Sequence, residues 1–378
     1  MKIVIASDSY KGSCTTLQVA DAIERGIRNV MPDCEVVKIP VADGGEGTVD
    51  ALVIGMGGKY EYVEVKGPLG DAVKAKFGIL DNDLAVLEMA EASGLTLVDK
   101  DKRNPLHTTT FGTGQMIREA MKKGCRKIYV GIGGSATNDG GVGMAQALGV
   151  SFKDRDGNEI GFGGEALCRI MEIDLTNLDE RLAETEIIVL SDVSNPLCGE
   201  NGASYVYGPQ KGATPDMVKE LDRCLMHYSD KVEEKLGMEL AHIPGAGAAG
   251  GLGAGLMAFC NAKLFNGVDK LLELVHIERH FWDADLVITG EGKMDTQTAF
   301  GKAPAGVAKI AKIYKLPVIA IVGSIGEGAS KVYEHGIDAI FDIVSSPMSL
   351  DEAMENVEAL IGQTTENIIR LVMLGGKR

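Results

Sequence analysis

Met1-Lys2-Ile3-Val4-Ile5-Ala6-Ser7-Asp8-Ser9-Tyr10-Lys11-Gly12-Ser13-Cys14-Thr15-Thr16 opens the chain. A β-branched apolar run ends in an acidic, glycine-containing turn, and apolar residues then recur at helical spacing over 16–30. This is one βα unit, and its turn stands beyond the carboxyl end of the strand, where parallel sheets bind ligands. The plan repeats at 35–40, which runs into Ala42-Asp43-Gly44-Gly45-Glu46-Gly47-Thr48. Further strands are expected at 84–89, 127–132, 187–191, 285–289, 318–322 and 339–343, and helices at 113–123, 214–236, 305–314 and 350–374.

The alternation of strand and helix predicts an α/β protein built of two α/β domains. The compact first and last units form one doubly wound parallel sheet of the flavodoxin or Rossmann kind, discontinuous over 1–60 and 266–378. Extra strands at 60–66 and 72–79 and long glycine-rich connections mark 61–265 as an inserted mixed α/β domain. The default ligand site is the cleft between the two domains.

Composition narrows the function. Thirty-eight basic against fifty-four acidic residues give a net charge of -16, a field that repels nucleic acid and anionic membrane surfaces. The 45% apolar and 24% charged fractions are those of a globular chain. Glycine stands out, with 49 in 378 residues, about 13% against roughly 7% expected. Seven cysteines without a CxxC pair read as reduced thiols. With too short an apolar start for a signal peptide, the expectation is a cytoplasmic protein. Residues 243–262 lack charge and contain GxxxG spacings, but glycine and alanine there make a loop entering a helix a better reading than a membrane span.

Four loops carry the chemistry. Lys11, in a Gly-Ser turn ahead of a helix, suits an anion. Gly133-Gly134-Ser135-Ala136-Thr137-Asn138-Asp139-Gly140-Gly141 joins bare backbone to hydroxyls and could wrap phosphates or a small polyhydroxy acid. Gly245-Ala246-Gly247-Ala248-Ala249-Gly250-Gly251 offers backbone alone, for phosphate cradling or for close packing. Thr289-Gly290-Glu291-Gly292-Lys293-Met294-Asp295, followed by Lys302, sets acid and lysine at one strand end, fit for Mg²⁺ and phosphate. None is a Walker A sequence or a dinucleotide fingerprint. His276 and His280 lack a third zinc ligand, and no nucleophile elbow appears.

These motifs, with Asn195-Pro196-Leu197, Gly208-Pro209-Gln210-Lys211-Gly212-Ala213 and 244–255, resemble the type I glycerate kinase family of bacteria over nearly the whole chain. Tyr10 stands where the family usually has Phe, and Lys293-Met294 where it usually has Arg-Leu; Lys lacks Arg's bidentate fork. The resemblance implies ATP-dependent phosphorylation of D-glycerate, on the 2-hydroxyl, in breakdown of glyoxylate, tartronate semialdehyde or sugar diacids. On that reading Lys11 grips phosphate, and Ser13, Lys211, Gly247, Gly250, Gly251 and Lys302 surround ATP. Asp43, Gly44, Gly45, Glu46, Ser135, Thr137 and Asn138 take D-glycerate. Asp192, Glu291 and Asp295 hold Mg²⁺, with Asp43 a further candidate, and Asp295, or alternatively Asp192, is the general base. A hydroxy-acid dehydrogenase and a two-domain binding protein are the competing readings, the first without its fingerprint and the second without an export signal. The oligomeric state stays open, a homo-oligomer included.

Overall fold

A computed structural model of the chain describes residues 1–81, 83–299 and 301–375. It divides into two compact units: unit 1 comprises Met1–Asp43, Asp50–Gly57 and Gly267–Arg378, and unit 2 comprises Gly44–Val49 and Gly58–Asn266. The strands begin with β1 (Lys2–Ser7) and β2 (Glu35–Lys38), followed by β3 (Lys59–Lys66), β4 (Ala72–Asp81) and β5 (Leu84–Glu88). Next come β6 (Lys127–Gly131), β7 (Ser151–Lys153), β8 (Glu172–Asp174), β9 (Glu186–Leu190) and β10 (Lys263–Phe265). The last are β11 (Leu286–Met294), β12 (Val318–Ile325) and β13 (Ala339–Asp342).

Unit 1 is a five-stranded sheet in the order β13-β12-β11-β1-β2, parallel at every pairing. Read from β2, that is the 2-1-3-4-5 order of flavodoxin-like sheets, whose direction of winding reverses between β1 and β11. Ile3 and Ile5 project into a core shared with the helices Thr16–Val30 and Val357–Gly375, against Val19, Ile23, Ile361 and Ile368. The doubly wound parallel sheet expected of the chain is therefore present.

Unit 2 carries the mixed sheet, ordered β10-β9-β6-β5-β4-β3. The strands β5, β6, β9 and β10 run parallel, while β4 and β3 add as an antiparallel hairpin. Ile128, Val130, Ile187 and Val189 meet Ile117, Met121 and Leu252 in its core. A second cluster packs the helix Pro215–Leu236 against the segment Gly164–Arg169 and the helix Ala248–Cys260.

Three local features differ from the sequence reading. The strand expected to stop at Thr289 continues to Met294, because β12 offers it an edge as far as Ile325. The long final helix is two, Leu350–Glu355 and Val357–Gly375, the first started by a Ser349–Glu352 capping box. Cys168 and Cys224 are joined by a disulfide across 56 residues, with Cα atoms 4.6 Å apart, whereas all seven cysteines read as thiols from the sequence. The sulfurs meet because Gly164–Arg169 packs on the helix Pro215–Leu236, a tertiary contact that cysteine spacing does not encode. The other five cysteines are free and buried. Among the described residues no helix is long and apolar enough to cross a membrane.

The helices Thr16–Val30 and Val357–Gly375 touch at Gly26, where a Cβ would lie 2.6 Å from both the Gly362 carbonyl oxygen and Thr365 Cβ. Gly26→Ala is expected to lower stability by about 1–3 kcal/mol, since an added methyl in a filled contact must push the helices apart. Urea unfolding checks this, and an unchanged midpoint would show the two helices free to separate.

Candidate functional site

β1 and β11 pair from Ile3↔Leu286 to Ser7↔Gly290 and then part. The last link is the Asp8 amide donating to the Gly290 carbonyl at 2.9 Å. Beyond it the chain folds into a tight turn, in which Tyr10 N–H donates to the Cys14 carbonyl (2.8 Å) and Cys14 N–H to the Tyr10 carbonyl (2.9 Å). Gly12 takes φ 82° at the tip, a left-handed conformation that favours glycine, and this presents Lys11 to solvent. Thr15 then starts the helix through a reciprocal capping box with Gln18, so part of the N-terminus expected to receive an anion is already satisfied by protein.

At this switch point lies a cavity of about 480 Å³, walled on its polar side by Asp8, Ser9, Lys11, Ser13, Asp43, Glu291, Lys293 and Lys302. Every lining residue belongs to unit 1. The carboxylates and lysines are interleaved: Lys11 Nζ sits 3.1 Å from Asp43 Oδ2, and Lys302 Nζ 3.5 Å from Glu291 Oε2. Thr298 Oγ1 donates to Glu291 Oε1. Tyr10 forms the buried back wall, its hydroxyl donating to the Ile321 carbonyl at 2.8 Å. Gly292 and Gly323 let the turn approach, since a Cβ on either would meet Tyr10 at 3.3–3.4 Å.

Burial pushes the Asp8 carboxyl up to about 8, with Asp43 and more weakly Glu291 adding to the rise, and Lys11 and the Ser9 amide opposing it. Burial raises Glu291 as well, against the pull of Thr298 and Lys302. Asp8 and Glu291 thus both resist ionisation beside one cavity, and a cation or a proton relieves them. The Ser9 hydroxyl oxygen is buried without a hydrogen-bond partner.

Of the residues picked out from sequence, Lys11, Ser13, Asp43, Glu291 and Lys302 therefore share one cavity. Asp295 does not line it. Its Oδ1 accepts from the Gln297 amide at 2.9 Å and its Oδ2 lies 3.7 Å from Lys293, so it caps the turn into Thr296–Ala299. Asp192 belongs to unit 2, exposed after β9, and Glu46 is also exposed.

In the unit 2 motifs the glycines stand where backbone meets backbone. A Cβ on Gly247 would sit 2.0 Å from the Pro196 carbonyl oxygen, one on Gly250 2.0 Å from that of Thr137, and one on Gly251 2.8 Å from Gly140 Cα. Close backbone contact accounts for these glycines, including the φ of 70° and 89° at Gly250 and Gly251. Gly44 and Gly45 press on Gly131 and Gly133 in the same way. Thr137 and Asn138 are fully buried, Ser135 nearly so, and Asn138 Nδ2 donates to Ser204 Oγ at 2.9 Å. Lys211, expected at a phosphate, is 1% exposed and donates to the Thr137 carbonyl at 2.6 Å. Burial pulls its ammonium down to about 7, with Asp139 opposing. Asp139 itself braces the loop by accepting from the amides of Thr110, Gly141 and Gly143.

Sequence reasoning noted Asp8 only as one more acid at the strand mouth, and it missed Ser9, Gly323, Ser324 and the wall formed by Ile343, Leu350, Ala353, Met354 and Val357. The usable signal was topological, since Ser324 and Ile343 stand at the carboxyl ends of β12 and β13.

Fold and site together define a doubly wound α/β protein whose ligand cavity, lined with lysines and carboxyls, opens at the switch point of its parallel sheet. Residues 3–373 match the family described as the glycerate kinase family. The chain is 54% identical to a glycerate kinase of Halalkalibacterium halodurans, with 97% of each chain covered, and 49% identical to the glycerate 2-kinase of Escherichia coli, with 99% of each covered. A crystal structure of a presumed glycerate kinase 2 from Salmonella typhimurium LT2 matches with a TM-score of 0.89 and 47% identity over the full length of both chains. The chain belongs to the glycerate kinase family.

The raised Asp8 carboxyl sets a sign for stability. Its folded-state value near 8 exceeds the ordinary 3.8, so folding takes up a proton between those values, and stability is lost as pH rises through that window. Asp8→Asn removes the titration. The variant is expected to gain thermal stability relative to the parent between pH 5 and pH 9, and a difference in Tm that stays constant across that range would contradict the burial argument.

Proposed function

We propose that the protein phosphorylates D-glycerate on its 2-hydroxyl with ATP as donor and Mg²⁺ as the accompanying metal, in cytoplasmic breakdown of glyoxylate, tartronate semialdehyde or sugar diacids. The observation that carries this is the cavity at the β1/β11 switch point, where Lys11 and Lys302 stand among Asp8, Asp43 and Glu291. The glycerate kinase names of relatives near 50% identity support the substrate, and the Escherichia coli relative's name supports the 2-position.

Phosphoryl transfer demands positioning and charge neutralisation more than covalent chemistry. Lys11 and Lys302 are held near the cavity by carboxylates that a polyphosphate would displace as their partner. Mg²⁺ takes one or two carboxylates plus phosphate oxygens, so it does not need the cage of three side chains that is absent among the described residues. Asp43 and Glu291 would hold it, and their interleaving with lysines suits a cation shared with phosphate. When bound, the metal offsets charge on the transferring group. Asp8 accepts the proton of the glycerate hydroxyl as that oxygen attacks the γ-phosphorus and ADP departs, because a carboxyl with its pKa near the working pH is the efficient kind of base. This moves the base from Asp295, which caps a turn, to the carboxyl that lines the cavity.

Asp8→Asn is expected to lower kcat by about 10²–10⁴-fold and to flatten the rise of kcat/KM with pH toward 8, whereas Asp295→Asn changes kcat by less than about tenfold. A coupled assay of ADP release measures both. The opposite ranking would return the base to Asp295. In the same assay Lys302→Met is expected to cost about 2–4 kcal/mol of transition-state stabilisation, and a chelator should abolish turnover until Mg²⁺ is restored; turnover indifferent to the chelator would remove the metal from the reaction.

A further inference from the structure

The cavity has a second half that neither phosphate nor glycerate explains. Besides its charged residues the lining is apolar, made by Ile343 just after β13, by Leu350, Ala353 and Met354 of the short helix Leu350–Glu355, and by Val357. Charged ligands gain nothing from such a surface, and desolvating them against it is unfavourable. The volume of about 480 Å³ lies within the 300–1,000 Å³ typical of sites for drug-sized molecules and far exceeds what a three-carbon acid needs.

The two halves are within reach of one ligand. Met354 Cε lies 3.5 Å from the position a Gly12 Cβ would take, so the apolar wall approaches the turn that carries Lys11. Met354 brings a thioether to the cavity lining, a polarisable surface for a flat ring. Leu350 is 74% exposed while lining the cavity, an apolar side chain left to water until something covers it. The Ser9 hydroxyl, buried and unpartnered on the same cavity, is a polar group waiting for a ligand atom.

We propose that Leu350, Ala353 and Met354, with Ile343 and Val357 behind them, form a nucleobase subsite, so that the phosphate donor lies with its heteroaromatic base on this wall and its phosphates toward Lys11 and Lys302. The proposal rests on the phosphotransferase reading above and adds which end of the cavity takes which end of the donor.

The test is steady-state kinetics with ATP and D-glycerate, together with calorimetric binding of adenosine, which carries the base and no phosphate. Ala353→Trp fills the wall. It is expected to raise KM for ATP by about tenfold or more while KM for D-glycerate moves less than about twofold, and to abolish adenosine binding seen in the parent. Should Ala353→Trp fail to fold by thermal melting, Leu350→Asp at the exposed rim replaces it with the same expectation. An unchanged KM for ATP, or adenosine that binds parent and variant alike, overturns the subsite. If the parent shows no ATP-dependent turnover, the phosphotransferase reading falls, and adenosine binding alone then decides: binding lost in the variant upholds the subsite, and no binding by the parent overturns it.

Discussion

The parallel pairing of β1 with β11, across some 280 residues of sequence, is the constraint on which the site depends. Register Ser7↔Gly290 fixes where β1 ends, and β11 and β12 run on together to Met294 and Ile325. The step between the short and long strands leaves room for the Asp8–Ser13 turn, and the Asp8 amide on the Gly290 carbonyl ties that turn to the step. Shift the register by one residue and Glu291 changes faces, since side chains alternate along a strand. Asp8 and Glu291 are thereby placed by backbone hydrogen bonds, the first through its own amide and the second through its position in β11.

Electrostatics at that step is deliberately unsettled. Burial raises the carboxyls of both Asp8 and Glu291, while Lys11 lies beside Asp43 and Lys302 beside Glu291, contacts that hold the two cations in position. Exposed pairs of this kind contribute little to stability, particularly at Lys11, which is more than half exposed. Their value is preorganisation: cations already aimed at the cavity lose less freedom when an anion arrives.

Unit 2 uses glycine for a different purpose. Gly247, Gly250, Gly251 and Gly255 approach Pro196, Thr137 and the Gly140–Gly141 backbone to distances that leave no space for a Cβ. Backbones that close form a layer around the 133–141 loop, where Asp139 accepts from the Gly141 amide and Lys211 donates to the Thr137 carbonyl, while Thr137 Oγ1 and Asn138 Oδ1 are buried without a hydrogen-bond partner. Burying an ammonium on a carbonyl is unfavourable unless the charge is balanced, and Asp139 supplies the opposing charge. A glycine-rich run in sequence therefore announces close approach, and only the neighbouring chain says whether the approaching group is a ligand or another strand of protein.

Apolar periodicity and the acidic, glycine-rich breaks between apolar runs determined the α/β class, most strand positions, the helix Thr16–Val30 to its ends, and the strand-end segments that carry Lys11, Asp43, Glu291 and Lys302, because each of these follows from local spacing and from the rule that parallel strands present ligands at their carboxyl ends. Tertiary structure alone decided what required distant segments to meet. Asp8 became the perturbed carboxyl through burial beside Asp43 and Glu291, and Asp295 became a cap through the Gln297 amide. Lys211 turned inward to Thr137, and Cys168 found Cys224. The apolar wall at 350–357 reads in sequence as an ordinary amphipathic helix, and it became part of a cavity only because the chain after β13 brings Met354 up to the Gly12 turn. Burial and mutual approach are properties of the packed chain, and no residue carries them in its own spacing.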